Sequence, residues 1–313
     1  MWKQNVLRWW HITLDAGRLW LDCNAFVHAG SLAFCTLFSL APTVIITVSV
    51  IGLVLGEEAA QGQIVAQMEG VMGHEAAVAV EEAVARSRIE ESGLLPTVLG
   101  FGALVMGATT VFAQIQFSLN TLWGVAARPD RNSVLLFLRS RLLSLTIVLA
   151  IGFVLLVSLL LGVALRAVLH FTNQFVPAVA TLLSGTETLV SMLVSSLLFG
   201  AIFKVLPDVV LRWRDVVVGA VVTAVLFSVG RYAIAAYLAY TATASTYGAA
   251  GSVVLVLLWV YYSSLILLFG AAFTKTHVAS QGHDIVPRNS AVRVRRALVP
   301  HEEGPRRPTG RRA

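Results

Sequence analysis

One arginine stands inside a long apolar stretch of this chain. Arg231 is the only charged residue between Val216 and Thr274, and a guanidinium can bind a phosphate or carboxylate in two places at once. Charged side chains within membrane segments face a cavity, a partner or the headgroup region, because exposure to hydrocarbon is costly. Arg231 is therefore predicted to recognise an anion. An arginine that simply extends to the membrane surface is the equally weighted alternative.

Polar residues in other apolar stretches could line the same cavity as Arg231. Pro42 removes a backbone hydrogen bond from its helix, and such a break can border a cavity. Side chains from several helices would contribute together, although each one taken singly more often serves helix packing. The predicted cavity residues are Ser39, Pro42, Gln114, Asn120, Arg231, Tyr232, Tyr247 and Tyr261.

Catalytic, metal and cofactor chemistry has no residue pattern to support it. The seven histidines are scattered along the chain, so none of them has the spacing of a structural zinc or nuclease metal site. The chain has no glycine-rich phosphate loop, and its two cysteines, Cys23 and Cys35, cannot build a disulfide framework. The sequence therefore predicts no catalytic residue, no metal and no cofactor.

Composition indicates the fold that must position these residues. Of the 313 residues, 57% are hydrophobic and 13% are charged, whereas a soluble domain has roughly 25% charged residues. A soluble enzyme is excluded, and each crossing helix needs about 20 apolar residues. We predict an all-α, polytopic membrane helical bundle over residues 1–278, with six transmembrane helices. The spans lie at about 33–55, 97–118, 142–165, 187–206, 216–239 and 251–273.

The distribution of basic residues indicates the orientation. Loops kept in the cytoplasm carry an excess of Lys and Arg. With six spans and both termini in the cytoplasm, 19 of the 23 basic residues lie inside, three lie outside, and Arg231 lies within a span. Seven spans would place the charged C-terminal segment outside. Residues 167–186 remain either a seventh span or an outer loop that partly re-enters.

Both ends of the chain differ from the spans. Residues 1–22 mix four tryptophans with charged residues and lack the apolar core of a signal peptide. They predict an interfacial helix on the inner leaflet, with a helix packed on cytoplasmic loops as the alternative. Residues 279–313 are rich in Arg and Pro, which predicts a disordered basic cytoplasmic tail. Its charge suits contact with anionic lipid headgroups, RNA binding is an alternative, and a solvated segment that fixes the topology is favoured over both.

An acidic outer segment separates the first two predicted spans. It has eight glutamates against Arg86 and Arg88, and residues 74–89 have the pattern of a helix lying on the bundle. The segment predicts either a docking surface for another envelope protein or a solvated hairpin without a partner. No nucleic-acid partner is expected.

Five blocks of residues carry a resemblance to a known family. The blocks are His28 to Pro42; Gln114 to Gly124; Leu206-Pro207-Asp208 with Trp213-Arg214-Asp215 and Gly219-Ala220; Tyr247 to Gly251; and Leu258 to Ala271. Together they resemble the YihY/virulence factor BrkB family of bacterial membrane proteins. They occur in family order from about residue 25 to residue 278, so the resemblance covers the whole predicted membrane domain. One departure is Ala272, where members often have an acidic residue.

The resemblance implies a multi-pass protein of the bacterial inner membrane with six spans and both termini in the cytoplasm. Members of this family have been linked to serum resistance and proposed as envelope lipid transporters, and the family has long had a ribonuclease name. We predict that the protein handles or transports an amphiphilic, anionic, lipid-like substrate, with membrane lipids as its partners. A non-transporting scaffold or assembly partner is the alternative. A ribonuclease is a third possibility, disfavoured because no metal-ligand cluster is present.

Overall fold

Helices dominate the structure of this chain. The computed structural model describes residues 2–39, 77–78, 94–128, 177–241 and 251–294. Its helices are α1 (Trp2–Asp22), α2 (Ala25–Ser39), α3 (Leu94–Trp123), α4 (Pro177–Val205), α5 (Trp213–Thr241) and α6 (Gly251–Ser280). Short strands connect some of them, namely β1 (Val125–Ala127), β2 (Val209–Val210), β3 (Val286–Pro287) and β4 (Ala291–Arg293).

Two of the described helices are long and apolar enough to cross a membrane. They are the segments Trp213–Ile234 of α5 and Val253–Ser280 of α6. The segments Val6–Asp22 and Ala25–Ser39 form a third candidate when they are taken together as one span bent by 65°. The helical membrane architecture is thus confirmed in its coarse form. Six spans stay a prediction, since the predicted span 142–165 lies outside the described residues.

Helix α4 begins earlier than the predicted fourth span. It starts at Pro177 and continues without a break to Val205, and proline is well suited to the first turn because its missing N–H would be unpaired there anyway. Residues 177–186, one half of the doubtful segment, therefore extend the fourth predicted span.

Helices α5 and α6 pack through two reciprocal contacts between glycine and threonine. Thr274 lies against Gly219 and Thr223 lies against Gly270, so closely that a Cβ added to either glycine would be 2.9 Å from the opposing threonine Cβ. Each buried hydroxyl donates to the glycine carbonyl one turn earlier in its own helix, at 2.6 Å for Thr223 and 2.7 Å for Thr274. Small residues thus allow the two backbones to approach closely. We call this contact the α5–α6 seam.

Helix α1 is docked along α6. The Trp9 ring stacks on the rings of Phe273 and His277 at centroid distances of 6.2 and 5.3 Å. Further along α1, the Trp20 indole N–H donates to the Leu265 carbonyl at 3.2 Å. One face of α1 therefore packs on protein. Its other face exposes apolar side chains at helical spacing, namely Val6, Leu7, Trp10, Leu14 and Leu21.

The predicted disorder of residues 279–313 is wrong for the part that the structure describes. Helix α6 continues to Ser280, and residues 281–294 then form β3 and β4. These strands pair antiparallel with β2 and β1, which lie after α4 and α3. Composition did not predict β3 and β4 because the strands that pair with them lie far away in the sequence. Residues 295–313 lie outside the described residues.

Candidate functional site

A partly buried carboxylate, Asp208, is the centre of a polar cluster at one end of the bundle. Its Oδ2 accepts hydrogen bonds from Asn120 Nδ2 at 2.8 Å and Gln116 Nε2 at 3.2 Å. Its Oδ1 accepts a longer bond from Ser290 Oγ at 3.4 Å. The Asp208 backbone N–H in turn donates to Asn120 Oδ1 at 2.8 Å, so the Asn120 amide is oriented by two bonds. We call these four residues the Asp208 cluster.

Three distant segments position this cluster. Gln116 and Asn120 lie four residues apart on α3, so both side chains project from one helix face. Asp208 follows Pro207 in the turn between α4 and β2, and Pro207 is fully buried. Ser290 lies between β3 and β4. The cluster thus joins the end of α3, the α4–α5 link and the segment after α6.

Cations reach the carbonyl ends of three helices at the same end of the bundle, which we call the strand end. Lys275 Nζ donates to the Leu122 carbonyl near the end of α3 at 2.7 Å. An Arg288 guanidinium N–H donates to the Lys204 carbonyl at the end of α4 at 3.1 Å. Arg8 reaches the Ser280 carbonyl of α6 at 3.4 Å. Each contact places positive charge where the helix dipole is negative.

The Asp208 cluster has the chemistry of a structural contact between segments and not that of a catalytic centre. Its carboxylate accepts bonds from neutral donors, and no ion pair to it occurs among the described residues. Within the same ranges no three His, Cys, Asp or Glu side chains could hold a metal. The described part of the chain therefore has no evident catalytic site.

Arg231 and Tyr232 form a second polar feature, on α5. The guanidinium lies 4.9 Å from the centroid of the Tyr232 ring and donates to the Tyr232 hydroxyl at 3.1 Å. Tyr232 is 68% exposed, and Arg231 is half-buried. The pair therefore lies at the surface of the helical bundle.

A matching pair stands at the start of the same helix. Trp213 is 56% exposed and Arg214 is exposed as well. Trp213 precedes Arg231 by 18 residues, and Arg214 precedes Tyr232 by 18, which is five helical turns or about 27 Å. Each residue of one pair therefore projects in the same direction as its counterpart. Between the pairs an exposed stripe consists of Val217, Val221, Val225 and Val229.

The six predicted cavity residues that the structure describes lie at separate places and not in one site. Asn120 belongs to the Asp208 cluster, near the start of α5, whereas Arg231 lies five turns along that helix. Ser39 is buried where α2 crosses Gly107 of α3. Tyr261 packs toward the residues of α2 around Ala29. Gln114 is half-buried on α3, and Pro42 and Tyr247 lie outside the described residues.

Sequence reasoning missed Asp208, Gln116 and Ser290. Asp208 lies in a loop between predicted spans, where a polar residue is expected to be solvated. Gln116 lies in the second predicted span, where a single polar residue more often serves helix packing. Gln116 and Asn120 lie in one block of the resemblance and Asp208 lies in another, and the order of the blocks carries no signal that they are in contact.

Comparison with known proteins places the chain in a family. Residues 18–293 match the family model described as virulence factor BrkB. A UPF0761 membrane protein of Tolumonas auensis is 28% identical over 83% of this chain and 82% of its own length. One of Alteromonas mediterranea is 26% identical over 80% and 82%, and one of Vibrio vulnificus is 26% identical over 79% and 76%. No solved structure matches. The resemblance is confirmed, and this membrane protein belongs to the virulence factor BrkB family.

Proposed function

We propose that this protein handles an anionic, amphiphilic lipid in the bacterial inner membrane, with six spans and both termini in the cytoplasm. One observation carries the proposal. The two pairs of arginine and aromatic residue on α5, Trp213–Arg214 and Arg231–Tyr232, stand five turns apart at the ends of an exposed apolar stripe.

The spacing of the two pairs matches the thickness of a bilayer. Their separation of about 27 Å is close to the hydrocarbon core of about 30 Å. Aromatic side chains favour the headgroup level, and an arginine there keeps its charge near water. The valine stripe between the pairs would then face acyl chains. Arg231 would lie at the outer interface and Arg214 at the inner one.

The chemistry of the pairs favours an anionic headgroup. A guanidinium matches the geometry of phosphate and carboxylate oxygens, and the Tyr232 ring and hydroxyl hold the Arg231 guanidinium in one orientation. A lipid with such a headgroup could place its acyl chains along the valine stripe. The exposed apolar face of α1 offers a further contact with the inner leaflet.

Lipid retention tests this proposal. The purified protein would be placed in nanodiscs with equal amounts of phosphatidylglycerol and phosphatidylethanolamine, and retained lipids would be counted by native mass spectrometry. We expect Arg231→Ala to lower retained phosphatidylglycerol about tenfold, because a hydrogen bond to a charged group contributes about 1.5–3 kcal/mol. Arg231→Lys should lower it less, since Lys keeps the charge without the planar fork.

Arg128→Ala is the matched control, because Arg128 is an exposed arginine outside α5. It should retain phosphatidylglycerol as the parent protein does. Equal retention by Arg231→Ala and the parent protein would refute a headgroup site at Arg231. Movement of a labelled anionic lipid across proteoliposomes then separates transport from retention alone.

A membrane scaffold is the second candidate, and the α5–α6 seam favours it. Threonine and glycine pack so closely there that neither Gly219 nor Gly270 has space for a Cβ. A scaffold would also use the acidic outer segment, where we propose that an envelope protein docks. Of that segment the structure describes residues 77–78, and Ala77 is buried in a cluster with Val256 and Val260 of α6. A scaffold predicts no lipid movement in the proteoliposome experiment.

A further inference from the structure

Residues 281–294 cross the strand end of the bundle as a strap. Strand β3 pairs with β2 in the α4–α5 link, and β4 pairs with β1 directly after α3. From Pro287 to Ala291 the chain covers four Cα steps, which span at most about 14 Å. The strap therefore limits how far the end of α3 can move from the start of α5.

Backbone hydrogen bonds hold the strap at both places. The Arg288 N–H donates to the Asp208 carbonyl at 2.9 Å. On the other side, the Arg128 N–H donates to the Ser290 carbonyl at 3.0 Å, and the Val294 N–H donates to the Gly124 carbonyl at 2.9 Å. Any movement that separates α3 from the α4–α5 link must break one of these two sets.

Asp208 makes hydrogen bonds both to α3 and to the strap. Its carboxylate and N–H bind Asn120 of α3, while its carbonyl and Oδ1 accept bonds from Arg288 and Ser290 of the strap. The two bonds to Asn120 are 2.8 Å long and the Gln116 bond is 3.2 Å long. On the strap side, the Arg288 bond is 2.9 Å and the Ser290 side-chain bond is 3.4 Å long. Asp208 is thus fixed to the bundle and holds the strap from there.

The strap residues are poorly buried. Ala291, 3% exposed, is its one fully buried residue, while most of the others are half-buried or exposed. The two ladders comprise two and three residue pairs. Segments with few buried apolar contacts open at a much lower free energy than packed helices. The α5–α6 seam, with its buried threonines, belongs to the opposite class.

We infer that residues 281–294 form a detachable strap, and that Asp208 is the latch that controls its opening. With the strap seated, α3 and the start of α5 are held together at the strand end. With the strap released, this restraint is lost, and the bonds of Asp208 to Asn120 and Gln116 remain between α3 and the α4–α5 link. The strap would thereby regulate the bundle from the side of the C-terminal segment.

Hydrogen exchange of the full chain in detergent tests this inference without any substrate, so its outcome is independent of lipid handling. We expect the strap amides of Arg288, Ala291 and Val294 to exchange at least a hundredfold faster than amides of the α5–α6 seam. In Asp208→Asn the strap amides should exchange about tenfold faster again, because the charged acceptor is lost. The seam amides should not change.

Two further variants separate the latch from general damage. Ser290→Ala removes the strap side chain from the latch and leaves the bonds between Asp208 and α3 in place, so strap exchange should rise several-fold. Asp284→Asn is the matched control, because this strap aspartate is 95% exposed and only approaches Arg293 at 4.0 Å. It should exchange like the parent protein.

A reversible crosslink provides the converse test. Ala126 and Val292 face each other in the β1–β4 ladder, at a separation that a disulfide can bridge. In a background with Cys23→Ser and Cys35→Ser, the oxidised Ala126→Cys/Val292→Cys variant should slow strap exchange, and reduction should restore it.

Two results would overturn the inference. Strap amides that exchange as slowly as the seam would mean that the segment opens only with the whole fold. Equal strap exchange in Asp208→Asn, Ser290→Ala and Asp284→Asn would mean that Asp208 is not the latch.

Discussion

Replacing Gly219 with alanine should destabilise the protein, although it adds a single methyl group. The new Cβ would lie 2.9 Å from Thr274 Cβ and 3.2 Å from its Cα, and it would overlap the Thr274 hydroxyl. Two of these three neighbours are fixed by the backbone of α6, so a rotamer change alone cannot relieve the contact. The helices α5 and α6 must move apart.

The expected magnitude has two parts. Overpacking of a close contact costs about 1–3 kcal/mol. Displacement of the Thr274 hydroxyl also weakens its 2.7 Å bond to the Gly270 carbonyl, which is worth about 0.5–1.5 kcal/mol. These two costs total about 1.5–4.5 kcal/mol. The helix preference of alanine over glycine offsets about 0.5–1 kcal/mol of them, so Gly219→Ala should lower the free energy of unfolding by about 0.5–4 kcal/mol.

Reversible unfolding in mixed detergent provides the measurement, and Gly17→Ala is the matched control. Gly17 lies in α1 with nothing within 4 Å of an added Cβ, so alanine there should be neutral or stabilise by about 0.5–1 kcal/mol. Gly219→Ala combined with Thr274→Gly should recover much of the loss, because the second change removes the opposing side chain. Equal stability of Gly219→Ala and Gly17→Ala would refute the close packing of the seam.

Two further predictions concern the strand end and the orientation. Lys275→Met should lower the free energy of unfolding by about 1.5–3 kcal/mol, since the Leu122 carbonyl loses its charged donor at 2.7 Å. Arg18→Met, at an exposed site on α1, is the control and should change the free energy of unfolding by less than about 0.5 kcal/mol. Equal effects of the two variants would contradict a capping role for Lys275. A reporter that is active only in the periplasm should be silent when fused after Ser280 and active when inserted near Glu75, as the charge distribution predicts, whereas the reverse pattern would exclude cytoplasmic termini.

The helices were the part of the fold most accessible to sequence reasoning. The predicted start of the last span, residue 251, is also where α6 begins, because Gly251 separates a polar stretch from a long apolar run. The predicted span 216–239 lies wholly within α5. Long runs without charge give a strong signal, since a helix in lipid must satisfy its own backbone.

The depth of Arg231 shows the effect of a helix boundary on a site prediction. Counted from Val216, the arginine lies about 22 Å along the helix, in the outer half of the hydrocarbon core. The helix begins at Trp213, and these three residues raise the distance to about 27 Å. The position of Arg231 at the surface of the bundle has a different basis, namely its contact with the exposed Tyr232.

The strap and the Asp208 cluster could not be predicted, because their strands have no independent stability. Strand β3 has two residues and β4 has three, and isolated pairs of this length do not persist in water. They form where the helices bring the ends of α3 and α4 close to the end of α6. A tail rich in Arg and Pro gives no local signal of this pairing.

The cations that cap the three helix ends have a consequence for biosynthesis. The chain is made from its N-terminus, so α3 and α4 are complete before Lys275 and Arg288, which cap them, have been synthesised. The cap of α6 comes instead from Arg8, a residue made at the start. The earlier helices can therefore insert in order, but the carbonyl ends of α3 and α4 have no capping cation until the C-terminal segment has been synthesised. A nascent chain that stops before Lys275 would keep the bonds between Asp208 and α3 and lack the cations that cap α3 and α4.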